Sequence, residues 1–150
     1  MLPANVRISS EESESPVNLS KTGLNANVLF MTIPTAGSHP DMLEGIVEAC
    51  GLPRERVVII RTEPNVDLPS GCIVLDDFEP PNIQRWWKRG IDESVARGAT
   101  AVAVLNDDLR IEPDTLEKLH DELLASGATV ATPSRPGLEL GLHTRRLMPY

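Results

Sequence analysis

Three consecutive oxygen-bearing side chains, Asn106, Asp107 and Asp108, follow directly on an apolar run, Ala101-Val102-Ala103-Val104-Leu105. A buried strand does not usually end in adjacent carboxylates unless they face solvent, a metal or a ligand. Two or three oxygen ligands at the carboxyl end of a parallel strand suit a hard divalent cation such as Mg²⁺ or Mn²⁺, and such a cation suits a diphosphate. The alternative is an acidic strand-to-helix turn, since turns favour Asn and Asp for their own backbone reasons. A second acid pair, Asp76-Asp77, also stands at the end of an apolar run. Of the three histidines, His120 lies beside an apolar stripe and reads as structural, whereas His39 lies at a helix start near the acidic site.

Other chemistries lack their residues. The chain has no G-x-G-x-x-G, no G-x-x-x-x-G-K-[ST] and no G-x-S-x-G, so neither a dinucleotide fingerprint, a P-loop nor a nucleophile elbow is supported. Cys50 and Cys72 lack metal-ligand spacing and read as small buried hydrophobes in a reducing cytosol, with a disulfide as the minor alternative. The balance of 22 acids against 14 bases, net −8, argues against a surface that coats nucleic acid or anionic membrane. A phosphorylated ligand would then need a metal, or a few placed bases, to offset repulsion. No apolar run is long enough for a transmembrane helix, and the first residues carry no apolar signal-like segment, so a cytoplasmic protein is expected.

The elements that must position these groups follow from hydrophobic period. Residues 1–26 are polar, acidic and low in complexity around Ser9-Ser10-Glu11-Glu12-Ser13-Glu14, which predicts a disordered acidic tail. Val28-Leu29-Phe30-Met31-Thr32-Ile33 reads as a strand buried on both faces and ended by Pro34. A helix then runs to Cys50, with Ser38 as the expected N-cap and Gly51 after its end. Residues 56–62 and 72–75 read as the second and third strands, separated by a loop rich in Pro, Asn and Asp. A helix over residues 81–97 carries Ile83, Trp86 or Trp87, Ile91, Ser94 and Val95 on one face. Only one of the two tryptophans can join that face, because adjacent helix positions diverge by about 100°.

Residues 101–105 form the fourth strand. A third helix opens at Glu112-Pro113-Asp114, with Pro in the first turn, and carries Leu116, Leu119, Leu123 and Leu124 as its apolar stripe. Residues 128–131 suggest a fifth strand. Strands alternating with helices predict an α/β fold: a mostly parallel sheet with helices on both faces and ligands at the carboxyl ends of the strands. The expected organisation is a tail over 1–26, one domain over 27–135 and an irregular segment over 136–150.

Taken in order, T-I-P-T-A-G-S-H-P-D-M-L-E-G-I-V-E-A-C-G, a second strand, and then N-I-Q-R-W-W-K-R-G-I-D-E-S-V-A-R-G-A-T-A-V-A-V-L-N-D-D-L-R-I-E-P-D-T-L-E-K-L resemble the N-terminal, nucleotide-sugar-binding half of a GT-A fold glycosyltransferase. The nearest likeness is to family 2 of the inverting sugar-nucleotide-dependent enzymes, over about residues 27–135. The most specific element is the W-x-x-G-I helix followed by V-x-V-L-N-D-D and I-x-P-D-x-L-x-x-L.

The resemblance implies a metal-dependent transfer of a sugar from a nucleoside diphosphate sugar to a hydroxyl acceptor, with inversion. Asn106, Asp107 and Asp108 match the family's D-x-D motif as N-D-D. Asp108 would bind Mn²⁺ or Mg²⁺, and Asn106 would face the ribose or the metal's water shell. Ile33, Pro34 and Thr35 match the loop that cradles the base. Glu63 or Asp67 would take the place of the acid that contacts base or ribose, with Asp76 and Asp77 as runners-up. Lys88 stands where relatives often place Asn; Lys88 and Arg89 could reach phosphates, though the solvated side of a helix is the favoured reading.

The chain departs from the family in length. About 15 residues follow Arg135, and Glu139 is the only acid among them, so no catalytic base is assigned. A second polypeptide or self-association could complete the acceptor half. The alternative is a non-catalytic α/β module, derived from the same fold, that binds a nucleotide or a protein.

Overall fold

The computed structural model describes residues 27–133 and 141–143. The expectations for the tail and for the rest of the segment 136–150 lie outside the described residues. The central feature is a four-stranded, all-parallel sheet in the order β3-β2-β1-β4. Its strands are β1 (Leu29–Thr35), β2 (Val57–Arg61), β3 (Ile73–Asp76) and β4 (Ala101–Val104). Three helices accompany it: α1 (Pro40–Ala49), α2 (Ile83–Ala96) and α3 (Thr115–Ser126). The α/β class read from the sequence is the class seen.

Alternation along the strands divides the core into two layers. Met31, Ile33, Val57 and Ile59 face α1 and pack with Leu43, Ile46, Val47 and Leu116. Phe30, Val58 and Ile60 face the other way, toward Trp86 of α2. Helices on opposite faces are what right-handed crossovers require when β1→β2 and β3→β4 run in opposite directions across the sheet. The central strands are buried along all but one end residue each, hence their largely apolar runs.

α2 approaches the sheet closely at one point. Its Gly90 lies over Thr32 of β1, and a Cβ there would stand 1.7 Å from Thr32 Oγ1. Trp86, Gly90 and Ser94 are the positions of α2 turned to the sheet; Ile91 is 36% exposed and Val95 57% exposed. The expected stripe is therefore narrower than its apolar letters. α2 lies over β1 and β2, so β4 at the sheet edge is only half covered and Val104 is 39% exposed.

Several local expectations shift. Pro34 does not end β1, which continues through Thr35. His39, not Ser38, is the N-cap of α1, with Pro40 opening the helix and no side-chain cap. Asn82 caps α2 by accepting the Arg85 amide at 3.0 Å. Pro113 precedes the α3 cap, which is Asp114 in left-handed backbone (φ 67°). Only Leu116 of the α3 stripe is buried, and Leu124 is 47% exposed. The fifth strand, β5 (Val130–Thr132), lies outside the main sheet. It pairs antiparallel with β6 (Gly141–His143), a strand inside the segment expected to be irregular.

Candidate functional site

β1 has β2 on one side and β4 on the other, and the chain reverses its direction of travel between them. Such a switch opens a crevice outside the carboxyl ends of the strands. Pro34 helps to open it. The Thr32 carbonyl accepts the Leu105 amide at 3.1 Å, and the Thr35 carbonyl accepts the Thr62 amide at 2.9 Å. Alternate residues of β1 thus serve alternate neighbours, and Pro34 faces the β4 side beyond Val104, where that ladder has ended. Its missing N–H removes no ladder bond there, and the strands part.

The resulting cleft measures about 340 Å³. Pro34 and Thr35 form its β1 side, and Thr62 follows from the end of β2. Ser38 and His39 border it at the start of α1, and Asn106, Asp107 and Asp108 at the end of β4. Ile83 and Trp86 of α2 add an apolar wall. Five of the seven residues expected to bind ligand are therefore brought together. Glu63 and Asp67 are not: both are exposed on the β2–β3 connection, and neither lines the cleft.

One bond ties the two strand ends across the cleft. The buried Thr35 hydroxyl donates to Asp107 Oδ2 at 2.6 Å and accepts the Gly37 amide at 3.0 Å. Gly37 has φ +77°, and a Cβ there would stand 2.6 Å from Val66, so only glycine fits this turn. Asp107 is half-buried and committed to Thr35, while Asn106 and Asp108 are exposed. Among the described residues no group of three or more His, Cys, Asp or Glu is placed to hold a metal ion. The described residues thus provide no complete cage. Asp108, exposed, and Asp107, whose other carboxylate oxygen has no described partner, both line the cleft and are the residues that could contribute oxygens to a cation there.

Asp76 and Asp77 have other partners. Asp77 is buried, and its carboxylate takes Arg85 at 2.8 and 3.0 Å and Arg89 at 2.9 Å. The Arg85 bonds hold its carboxyl well below the usual carboxylate range, against the opposing effect of burial. Asp76 receives both arms of Arg61, at 2.7 and 2.9 Å, which lowers its carboxyl too. Asp77 braces the first half of α2 against the end of β3, and Asp76 ties β3 to Arg61 of β2. Arg89 belongs to that brace, and it also donates to the Asp76 carbonyl; Lys88 pairs with Asp92 on the exposed side of α2.

Sequence reasoning did not single out Thr62, or Ile83 and Trp86 as cleft residues. Their letters mark only a strand end and an apolar face; the position of α2 over β1 turns them toward the cleft. The two cysteines are free, and burial pushes both thiols up. Compared with known proteins, the chain matches no family model, no curated protein and no solved structure.

Proposed function

We propose that the chain binds a nucleoside diphosphate sugar in the β1–β4 cleft and is a metal-dependent glycosyltransferase of GT-A type, or its donor-binding half. The observation that supports this reading most is that Asn106, Asp107 and Asp108 line the switch-point cleft, with Asp107 bonded to Thr35 across it. The strand order β3-β2-β1-β4 is compatible with it. So is the absence of any Lys or Arg among the described residues that line the cleft: an uncompensated diphosphate would be repelled by two aspartates, so it would enter with its cation.

The transfer is a substitution at the anomeric carbon. The acceptor oxygen forms the new bond as its proton leaves to a base. The bond from that carbon to the diphosphate oxygen breaks, and its electron pair goes with the nucleoside diphosphate. Bound Mn²⁺ or Mg²⁺ would offset the charge that develops on this leaving group. Asp108 and the second oxygen of Asp107 would hold the cation. Thr35 keeps Asp107 aimed into the cleft, and Ile83 and Trp86 exclude water from one wall. The base remains unassigned and belongs to whatever completes the acceptor half.

A second reading is a nucleotide-binding module without transfer. It is favoured by the commitment of Asp107 Oδ2 to Thr35, which among the described residues leaves His39 and Asp108 as the cleft-lining titratable groups without a side-chain hydrogen bond. Calorimetric titration with UDP and other nucleoside diphosphates, with and without Mn²⁺, tests both. Donor binding predicts metal-dependent affinity that falls about tenfold or more in Asp108→Ala. Absence of nucleotide binding in the wild type rejects both readings.

A further inference from the structure

A second hollow, of about 350 Å³, lies next to the cleft, between α1 and the segment after β4. Met42, Gly45 and Ile46 line one side, and Leu109, Arg110 and Ile111 the other. The two hollows share their borders in sequence: α1 contributes His39 to the first and Asp41 to the second, and the β4 exit contributes Asp108 to the first and Leu109 to the second.

Gly45 makes this hollow notable. It sits in the middle of α1, where glycine costs about 1 kcal/mol relative to alanine. Its backbone is ordinary helix, so conformation does not require glycine. Packing does not require it either, since nothing lies within 4 Å of where its Cβ would be. Gly37 and Gly90 differ, because protein atoms already occupy their Cβ positions. Gly45 is itself exposed, and its missing side chain leaves open space on the floor of the hollow that none of the described residues fills.

We infer that this hollow is a binding site for an amphiphilic hydroxylated molecule, with an apolar body over Gly45 and a hydroxylated head toward the cleft. Met42, Ile46, Leu109 and Ile111 supply an apolar floor. Asp41 and Glu112 offer oxygens to hydroxyl donors, and the exposed Arg110 offers guanidinium donors. The volume is at the low end of small-molecule sites, suited to one ring or a short chain. Resting on the transferase reading, the hollow is the acceptor subsite, and the shared border delivers the acceptor hydroxyl beside Asp108. The binding site itself does not depend on that reading.

The test uses the full chain and octyl glucoside below the concentration at which it forms micelles, followed by backbone NMR. Saturable shifts centred on Met42, Gly45 and Leu109 are expected, with the dissociation constant raised about tenfold or more in Gly45→Leu. Gly45→Ala should bind close to wild type. Both variants should melt no lower than wild type, which separates a filled site from a damaged fold. UDP titration with Mn²⁺ is run on the same samples and should be unchanged by Gly45→Leu. Absence of saturable shifts, or shifts that Gly45→Leu leaves intact, overturns the site. Glucoside binding without any UDP binding keeps the site and rejects its role as an acceptor subsite.

Discussion

Asp77 carries the heaviest local electrostatic commitment in the described chain. Its side chain is 2% exposed, whereas its partners Arg85 and Arg89 are 33% and 40% exposed. The arginines can turn to water if the acid is removed, so the loss is smaller than for a fully buried pair. Asp77→Asn should cost about 1–3 kcal/mol near neutral pH. Because the folded state holds this carboxyl below its unfolded value, its contribution is complete above the ordinary carboxylate range and is lost as pH falls through the lower folded value. Urea unfolding of wild type and variant at about pH 7 and about pH 3 should therefore show a gap that narrows with acid. A gap that widens would show that the arginine brace is not what the carboxylate provides. Two adjacent acids at a strand end were visible in the sequence, but their arginine partners were not. Arg61 lies on β2, and Arg85 and Arg89 lie on α2; only the sheet order and the docking of α2 bring them to Asp76 and Asp77.

At the scale of elements, α2 shows why letters alone misjudge a face. Ile91 and Val95 are apolar yet exposed, while Gly90, the smallest residue, makes the closest approach to the sheet. Gly90→Ala should destabilise the fold by about 2 kcal/mol or more even though alanine favours helix, because buried Thr32 cannot yield space to the added methyl. The opposite sign is expected on α1, where Gly45→Ala adds a methyl to open space and should stabilise by about 0.5–1 kcal/mol. Thermal unfolding of the two variants side by side checks both; two shifts of the same sign would refute the account. Helix boundaries also depended on tertiary context. Ser38 has the better capping side chain, but the chain enters α1 through His39 and Pro40, since Thr35 and Gly37 hold the preceding turn.

For the whole molecule, the cleft exists because β1 has neighbours reached by connections of opposite direction. Ligand binding there should be read out by global stability, since a ligand that binds only the folded state stabilises it by about 2.7 kcal/mol at a hundredfold excess over its Kd. UDP and Mn²⁺ together should raise the melting temperature by several degrees, and either alone should have little effect, because the cleft lining has two aspartates, no Lys or Arg and no complete cation cage. A rise with UDP alone would mean that phosphate is held without a cation and would reject the metal-bridged arrangement. Among the described residues no helix is long and apolar enough to cross a membrane.

The sequence by itself determined the α/β class, the four strands of the parallel sheet and the acidic end of β4. Those depend on hydrophobic period and on the abrupt change from apolar to acidic side chains, both of which are local. It also located Pro34 and Thr35 beside the cleft by their place at the carboxyl end of the first apolar run. Tertiary structure alone decided which acids line the cleft and which pair with arginine. It joined Thr35 to Asp107 across 72 positions of chain and left Glu63 and Asp67 out of the cleft lining. It also took β5 out of the main sheet and set the empty position of Gly45 against the exit of β4. Each of these outcomes depends on strand order and helix docking, which bring together side chains far apart in sequence and leave no periodic signal along the chain.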